Sequence, residues 1–345
     1  MYMPLYYEDP VTDYWRLIND VTLWDVACQR QVEITGTDAV RFVQLLTPRN
    51  LSTCKVGQCK YVLITNKNGG IINDPVLLRL GENHFWLSLA DSDVLLWAQG
   101  VALNSGMNMN IAEPDVSPIQ VQGPKSMLVM AALFGDWINE LRYFWLKEID
   151  LRGMPLVVSR TGWSGELGYE IYLRDGRYGD LLWEAVMEAG KPYNIGLGAP
   201  SQIRRMEAGL LSYGSDMTSN ENPFEIGFEK YVDLEQEGDF IGKDSLRRIK
   251  AKGIKRRLVG LEIDGPPLKE GNEHPWTVFH DGRPTGKLSS CVYSPRLNKN
   301  ISIAIVASKN SRDGTGLGVE TTEGKRRATV VSFPFYDPEK HIPVS

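Results

Sequence analysis

Glu170 and Tyr172 stand two residues apart in the run GYEIYL, residues 168–173. If that run is a strand, they share one face, and Tyr169, Ile171 and Leu173 share the other. One face suits a core. The other sets an acceptor-only carboxylate beside a phenol, a pairing able to hydrogen-bond a polar small molecule. Trp163, on the incoming side of the same hairpin, stands close enough in the chain to reach that region. A second carboxylate, Asp74, lies in Asn73-Asp74-Pro75, where the proline removes a ladder donor and leaves the acid projecting from a break. The plain alternatives are a solvated strand face for Glu170 and a bulge at Asp74. Other chemistries have less to stand on. The four histidines form no HExxH pattern and the four cysteines no CxxC pair, so no metal site and no nucleophile–histidine pair is expected.

These side chains need a scaffold that makes them converge. Residues 156–159 and 169–173 read as the strands of a hairpin, with Gly162, Gly165 and Gly168 punctuating a long loop between them. Residues 60–90 carry apolar runs broken at Asn68-Gly69-Gly70 and at Gly81-Glu82-Asn83, which predicts three strands joined by tight turns. Apolar spacing predicts helices over 14–20, 37–46, 92–100, 124–141, 178–190 and 201–211, with Thr37 or Asp38 capping the second. Beyond the short basic run at 252–257 the pattern shifts. Apolar segments over 258–263, 276–280, 287–291, 301–306 and 328–333 predict an all-β barrel or sandwich.

At 345 residues, 42% hydrophobic and 23% charged, the composition is globular, with length for two or three sizeable cores. A net charge of -5 supplies no polybasic footprint, so no nucleic-acid partner is expected. The N-terminal residues lack the basic-then-apolar order of a secretory signal, and no apolar run approaches the roughly 18 residues of a membrane span. A cytoplasmic chain with reduced thiols and no membrane partner is the simplest expectation.

Several ordered motifs then carry a resemblance: GGIINDP at 69–75, QVQGPKS at 120–126, RTGWSGELGYEIYL at 160–173, RRMEAGLLSYGSD at 204–216, NPFEIGF at 222–228, DFIGKDSL at 239–246 and SSCVYSPRLNKNISIAIV at 289–306. In these the chain resembles the folate-dependent aminomethyltransferase family, that of the glycine-cleavage T-protein, over nearly its whole length. Asp13-Tyr14-Trp15, WDVACQRQVEITG at 24–36, the single acid of Asn73-Asp74-Pro75 and LADSDV at 89–94 are most similar to the tetrahydrofolate-dependent dimethylsulfoniopropionate demethylases within that family. The resemblance implies an α+β fold, a three-domain ring around a central folate channel. Residues 1–53 and 113–252 would form a discontinuous α+β folate-binding domain, 54–112 an inserted α+β domain and 253–345 a C-terminal β-barrel.

By the same resemblance tetrahydrofolate is the methyl acceptor and a small methylated sulfonium or ammonium compound, such as dimethylsulfoniopropionate, the donor. Glu170 matches the pterin-binding glutamate, an acceptor able to take two parallel donors of the pterin edge. Asp74 matches the acid near the reactive N5 and N10 side. Tyr61 matches a residue lining the folate pocket; Trp163 and Tyr172 match positions on both folate and substrate sides, with Tyr172 placed among the catalytic groups beside Asp74. Trp163 and Tyr172 would attract the donor's cation through their ring quadrupoles. The alternatives are aminomethyl transfer with a lipoyl carrier, which the single acid disfavours, and non-catalytic folate binding, whose iron–sulfur assembly members carry a cysteine motif absent from residues 228–239. Two departures fall on the substrate side. Gly165 and Glu166 stand where such demethylases carry Lys-Gln, and those demethylases have a segment ahead of the stretch matching Met1 to Pro4, so either the start is shortened or the pocket is built differently.

Overall fold

The structure, a computed structural model, describes residues 4–90, 93–269 and 271–345. Met1, at the N-terminal departure, and Ser92, the expected start of the helix over 92–100, lie outside the described residues.

The first sheet has six strands in the order Leu146–Leu151, Met154–Ser159, Gly168–Leu173, Ser117–Gln122, Val21–Asp25 and Ile195–Gly198. The last pair is parallel and the others antiparallel. Tyr169, Ile171 and Leu173 pack on one side with Val129, Met130, Leu182 and Val186 of the helices Ser126–Phe134 and Gly179–Gly190. The period-two reading holds for that face, but the opposite face is not solvated. All six residues of Gly168–Leu173 are buried, because Leu78, Leu80 and Trp86 of the second unit close over Val157 and Tyr172. The helix expected over 124–141 ends at Phe134, since Gly135 takes φ 87° and a 3-10 turn, Asp136–Glu140, follows.

The second sheet runs Cys59–Tyr61, Val76–Gly81, His84–Leu89, Arg30–Thr35 and Asn110–Ala112. Arg30–Thr35 and the helix Ala39–Leu46 therefore pack with residues 59–112, although the expected boundary left them in the first unit. The reason is alternation: Val32 and Ile34 face Phe85 and Leu87, and Phe42, Val43 and Leu46 cover the same core. Asp74 and Pro75 interrupt the chain between the strands Ile71–Asn73 and Val76–Gly81, so the acid does project from a break.

The third unit is a closed barrel: Arg256–Ile263, Lys299–Ala307, Arg283–Ser294, Trp276–His280, Gly316–Thr321 and Gly324–Val331. Gly316–Thr321 was not expected, since two glycines leave it only Leu317 and Val319 as buried apolar residues. Each unit touches the other two. Leu63 and Ile71 of the second meet Met206 of the first and Ile301 and Ile303 of the barrel, while Ser294 of the barrel donates to Glu207 of the first. The three units thus close around a shared centre. Among the described residues no helix is long and apolar enough to cross a membrane.

Candidate active site

Antiparallel register sets Gln120 directly opposite Glu170. The Gln120 amide donates to Glu170 Oε1 at 2.8 Å, and the Thr161 hydroxyl donates to the other carboxylate oxygen. Glu170 is 4% exposed. Burial raises its carboxyl above the usual range, while hydrogen bonds from Thr161, Tyr172 and Gln120 favour the charge. Among the described residues Gln120 Oε1 is buried with no hydrogen-bond partner. A carboxylate with spare lone pairs beside an orphaned amide oxygen is a row of acceptors, which fits a ligand edge carrying adjacent donors, as the N3–H and 2-amino group of a pterin do. The loop approaches closely only because it is glycine-rich: a Cβ on Gly162 or Gly168 would lie 2.3 or 2.2 Å from the Gln122 amide.

Asp74 is held from the second unit. Tyr61 Oη donates to Asp74 Oδ2 at 2.7 Å, and Asn73 Oδ1 accepts from the Asp74 backbone N–H at 2.8 Å. Burial pushes the Asp74 carboxyl up to about 7; the Tyr61 hydrogen bond opposes this and the Asp216 charge adds to it. Asn73 Nδ2, like Gln120 Oε1, is buried without a hydrogen-bond partner among the described residues. Tyr61 stands edge-on to Phe228, centroids 5.7 Å apart, and tilted against Tyr231 at 5.1 Å, which makes an aromatic wall. Arg49 donates to the Tyr61 carbonyl at 2.5 Å and lies 5.1 Å from the Tyr231 ring centroid.

Trp163 is half-buried with the Arg205 guanidinium 5.8 Å from its centroid, so a cation of the protein already attends one side of the ring. Arg205 is fixed in turn by Asp216 at 2.5 Å and Ser290 at 2.9 Å. Tyr172 is not brought to a surface that a substrate could touch. It is 0% exposed, packed with Trp86 and Leu78 between the sheets, and its hydroxyl lies 3.5 Å from Ser88 Oγ. The second unit caps the face on which the sequence placed it, so its contact with the site runs through Glu170.

Glu166, expected on the substrate side, is 6% exposed and turned away into a buried ion network. Arg204 donates to it at 2.6 Å and to the Gly165 carbonyl at 2.8 Å, and Arg296 stands 4.0 Å off. Glu207 answers these arginines from the other side, accepting from Tyr14 at 2.9 Å and Ser294 at 2.6 Å. The buried Arg204 and the half-buried Arg296 are answered by two carboxylates, which is why Glu166 points inward. Replacing Glu166 by glutamine should destabilise the fold by about 3 kcal/mol, read as a lower urea midpoint, because the buried Arg204 and the half-buried Arg296 would then share one anion.

Gln120, Thr161, Asn73, Arg205 and Asp216 were not singled out from sequence. Gln120 had a signal, since Gln120 and Gln122 alternate with Ile119 and Val121 and so must face away from the helix-side core. Asn73 is the chain neighbour of Asp74 and Thr161 reaches Glu170 across the hairpin, while Arg205 and Asp216 meet the site only through tertiary approach.

Comparison with known proteins gives the family. Residues 1–236 match the GCVT N-terminal domain and residues 256–337 the glycine cleavage T-protein C-terminal barrel domain. The chain is 40% identical over 332 residues to dimethylsulfoniopropionate demethylase DmdA of Ruegeria pomeroyi, covering 96% of this chain and 90% of that one. It is 32% identical over 343 residues to an aminomethyltransferase of Thermoanaerobacter pseudethanolicus, with 97% and 91% covered. The fold matches the crystal structure of glycine cleavage system aminomethyltransferase T from Bartonella henselae with TM-score 0.88 at 24% identity, covering 97% and 92%. Both domain matches, and relatives above 30% identity along nearly the whole chain, place this protein in the glycine cleavage T-protein family of tetrahydrofolate-dependent transferases.

Proposed function

We propose that this enzyme is a tetrahydrofolate-dependent demethylase acting on a small methylated onium compound, with dimethylsulfoniopropionate as the first substrate to try. The observation that carries this reading is the likeness to a demethylase over nearly the full chain, at higher identity than the aminomethyltransferase relatives cited above. The single acid at Asp74 agrees with it, because a methyl group already activated on sulfonium needs orientation and exclusion of water more than acid–base catalysis at several centres.

When bound, tetrahydrofolate supplies N5 as the methyl acceptor. Glu170 and Gln120 Oε1 accept hydrogen bonds from the pterin edge and so fix its orientation. Asp74, with Tyr61 donating to it, sets a negative potential at the far side of the site and can hold a proton near neutral pH. The ring of Trp163 faces the cationic donor, and Arg205 holds that ring in place. Tyr172 acts through Glu170 by favouring its charged form.

The test is incubation with tetrahydrofolate and a panel of methylated sulfonium, ammonium and methoxy compounds, with 5-methyltetrahydrofolate detected by mass. Product from a sulfonium donor is expected. Folate binding with no product from any donor would overturn the reading, and methylene transfer from an aminomethyl-lipoyl carrier instead would establish the aminomethyltransferase alternative.

A further inference from the structure

The arginines around this site differ in how far they are satisfied. Arg205 is spent on Asp216, Ser290, Gln202 and the Leu210 carbonyl. Arg204 and Arg296 answer Glu166 and Glu207. Arg49 is another matter. It is half-buried, gives one hydrogen bond to the Tyr61 carbonyl, lies against Tyr231, and has no carboxylate within ion-pair distance among the described residues. Burial works against its charge, and the opposing influences come only from Tyr231 and Cys54. A partly desolvated guanidinium has five N–H donors, so a site that leaves most of them without an anion is suited to receive one.

Position says which anion. Tyr61 carries Arg49 at its backbone carbonyl and Asp74 at its hydroxyl, so the cation and the acid stand at opposite ends of one tyrosine, along the wall that Phe228 and Tyr231 complete. A zwitterion with an onium at one end and a carboxylate a few bonds away has the complementary order of charge. We infer that Arg49 binds the carboxylate of a zwitterionic methyl donor, and so selects donors that carry an anionic tail over simple onium ions. The inference rests on the demethylase reading and names the substrate class within it.

The experiment compares dimethylsulfoniopropionate with its carboxamide, which keeps the sulfonium and removes the negative charge, in the wild type, Arg49→Gln and Arg49→Lys. Wild type is expected to favour the carboxylate. Arg49→Gln should lower kcat/KM for the carboxylate donor roughly 10- to 100-fold, mainly through KM, with the carboxamide unaffected; Arg49→Lys should recover part of the loss. Tetrahydrofolate affinity in the same variants should be unchanged. Equal losses for both donors would mark Arg49 as structural and overturn the inference, as would no loss at all, or a preference for the carboxylate that survives in Arg49→Gln. The absence of 5-methyltetrahydrofolate from either donor with wild-type enzyme would remove the demethylase reading itself, and this inference with it.

Discussion

Asp74→Asn enzyme is expected to turn over roughly 10²- to 10³-fold more slowly than wild type while binding tetrahydrofolate almost as well and melting at a higher temperature at pH 8. Both effects come from one property. Burial raises the Asp74 carboxyl from the ordinary 3.8 to about 7, so the folded chain holds a proton that the unfolded chain has released. Stability from that proton is complete below about pH 4 and is lost as pH rises toward 7. Above neutrality the folded enzyme carries a buried charge at a cost of about 4 kcal/mol. Asparagine has nearly the same shape and its amide oxygen can still accept from the Tyr61 hydroxyl, so it removes the cost without opening a cavity. The gain in Tm should therefore grow from pH 4 to pH 8. Thermal melts across that range, with turnover measured beside them, check the prediction; unchanged turnover would remove Asp74 from the chemistry, and a pH-independent Tm difference would remove the buried charge from the explanation.

What was legible in the sequence follows from the range of the forces involved. The period-two pattern of residues 168–173 gives the two faces of a strand, because side-chain direction is a local property. It says nothing of what covers each face. Tyr172 is accordingly expected to face folate and substrate, whereas Leu78, Leu80 and Trp86, far away in the chain, enclose it. The break at Asp74 was also local, since Pro75 enforces it. Its partner Tyr61 stands 13 residues away and could be named only through resemblance. Glu166 departs from expectation in the same direction. As a charged residue in a glycine-rich loop it reads as accessible, yet Arg204 on the helix Gln202–Glu207 draws it inward from 38 positions away. Buried ion pairs are the interactions least visible to pattern reading, because each partner alone has the composition of a surface.

Tetrahydrofolate affinity should fall by 10²–10³ in Glu170→Gln, the loss expected when an acceptor of about two charge-assisted hydrogen bonds is exchanged for a group that also donates. Glu170 now accepts from both Gln120 and Thr161. In the variant one oxygen becomes an amide NH2. The Thr161 hydroxyl can rotate to accept from it, so the protein side stays satisfied, but the row of acceptors formed with Gln120 Oε1 is interrupted by a donor. The fold should tolerate the change, since burial already disfavours the charge that is being removed. Titration calorimetry with tetrahydrofolate, beside a thermal melt, separates the two effects. The pH dependence gives an independent check on sign. Binding needs the ionised carboxylate, so wild-type affinity should weaken on acidification through the raised Glu170 pKa, and that acid limb should be missing in Glu170→Gln. Unchanged affinity would overturn the assignment, and a fall in kcat at constant Kd would move Glu170 from binding to chemistry. A variant that binds poorly yet melts like the wild type would place the pterin contact at Glu170 and leave Asp74, held by Tyr61 on the second unit, with the transfer step alone.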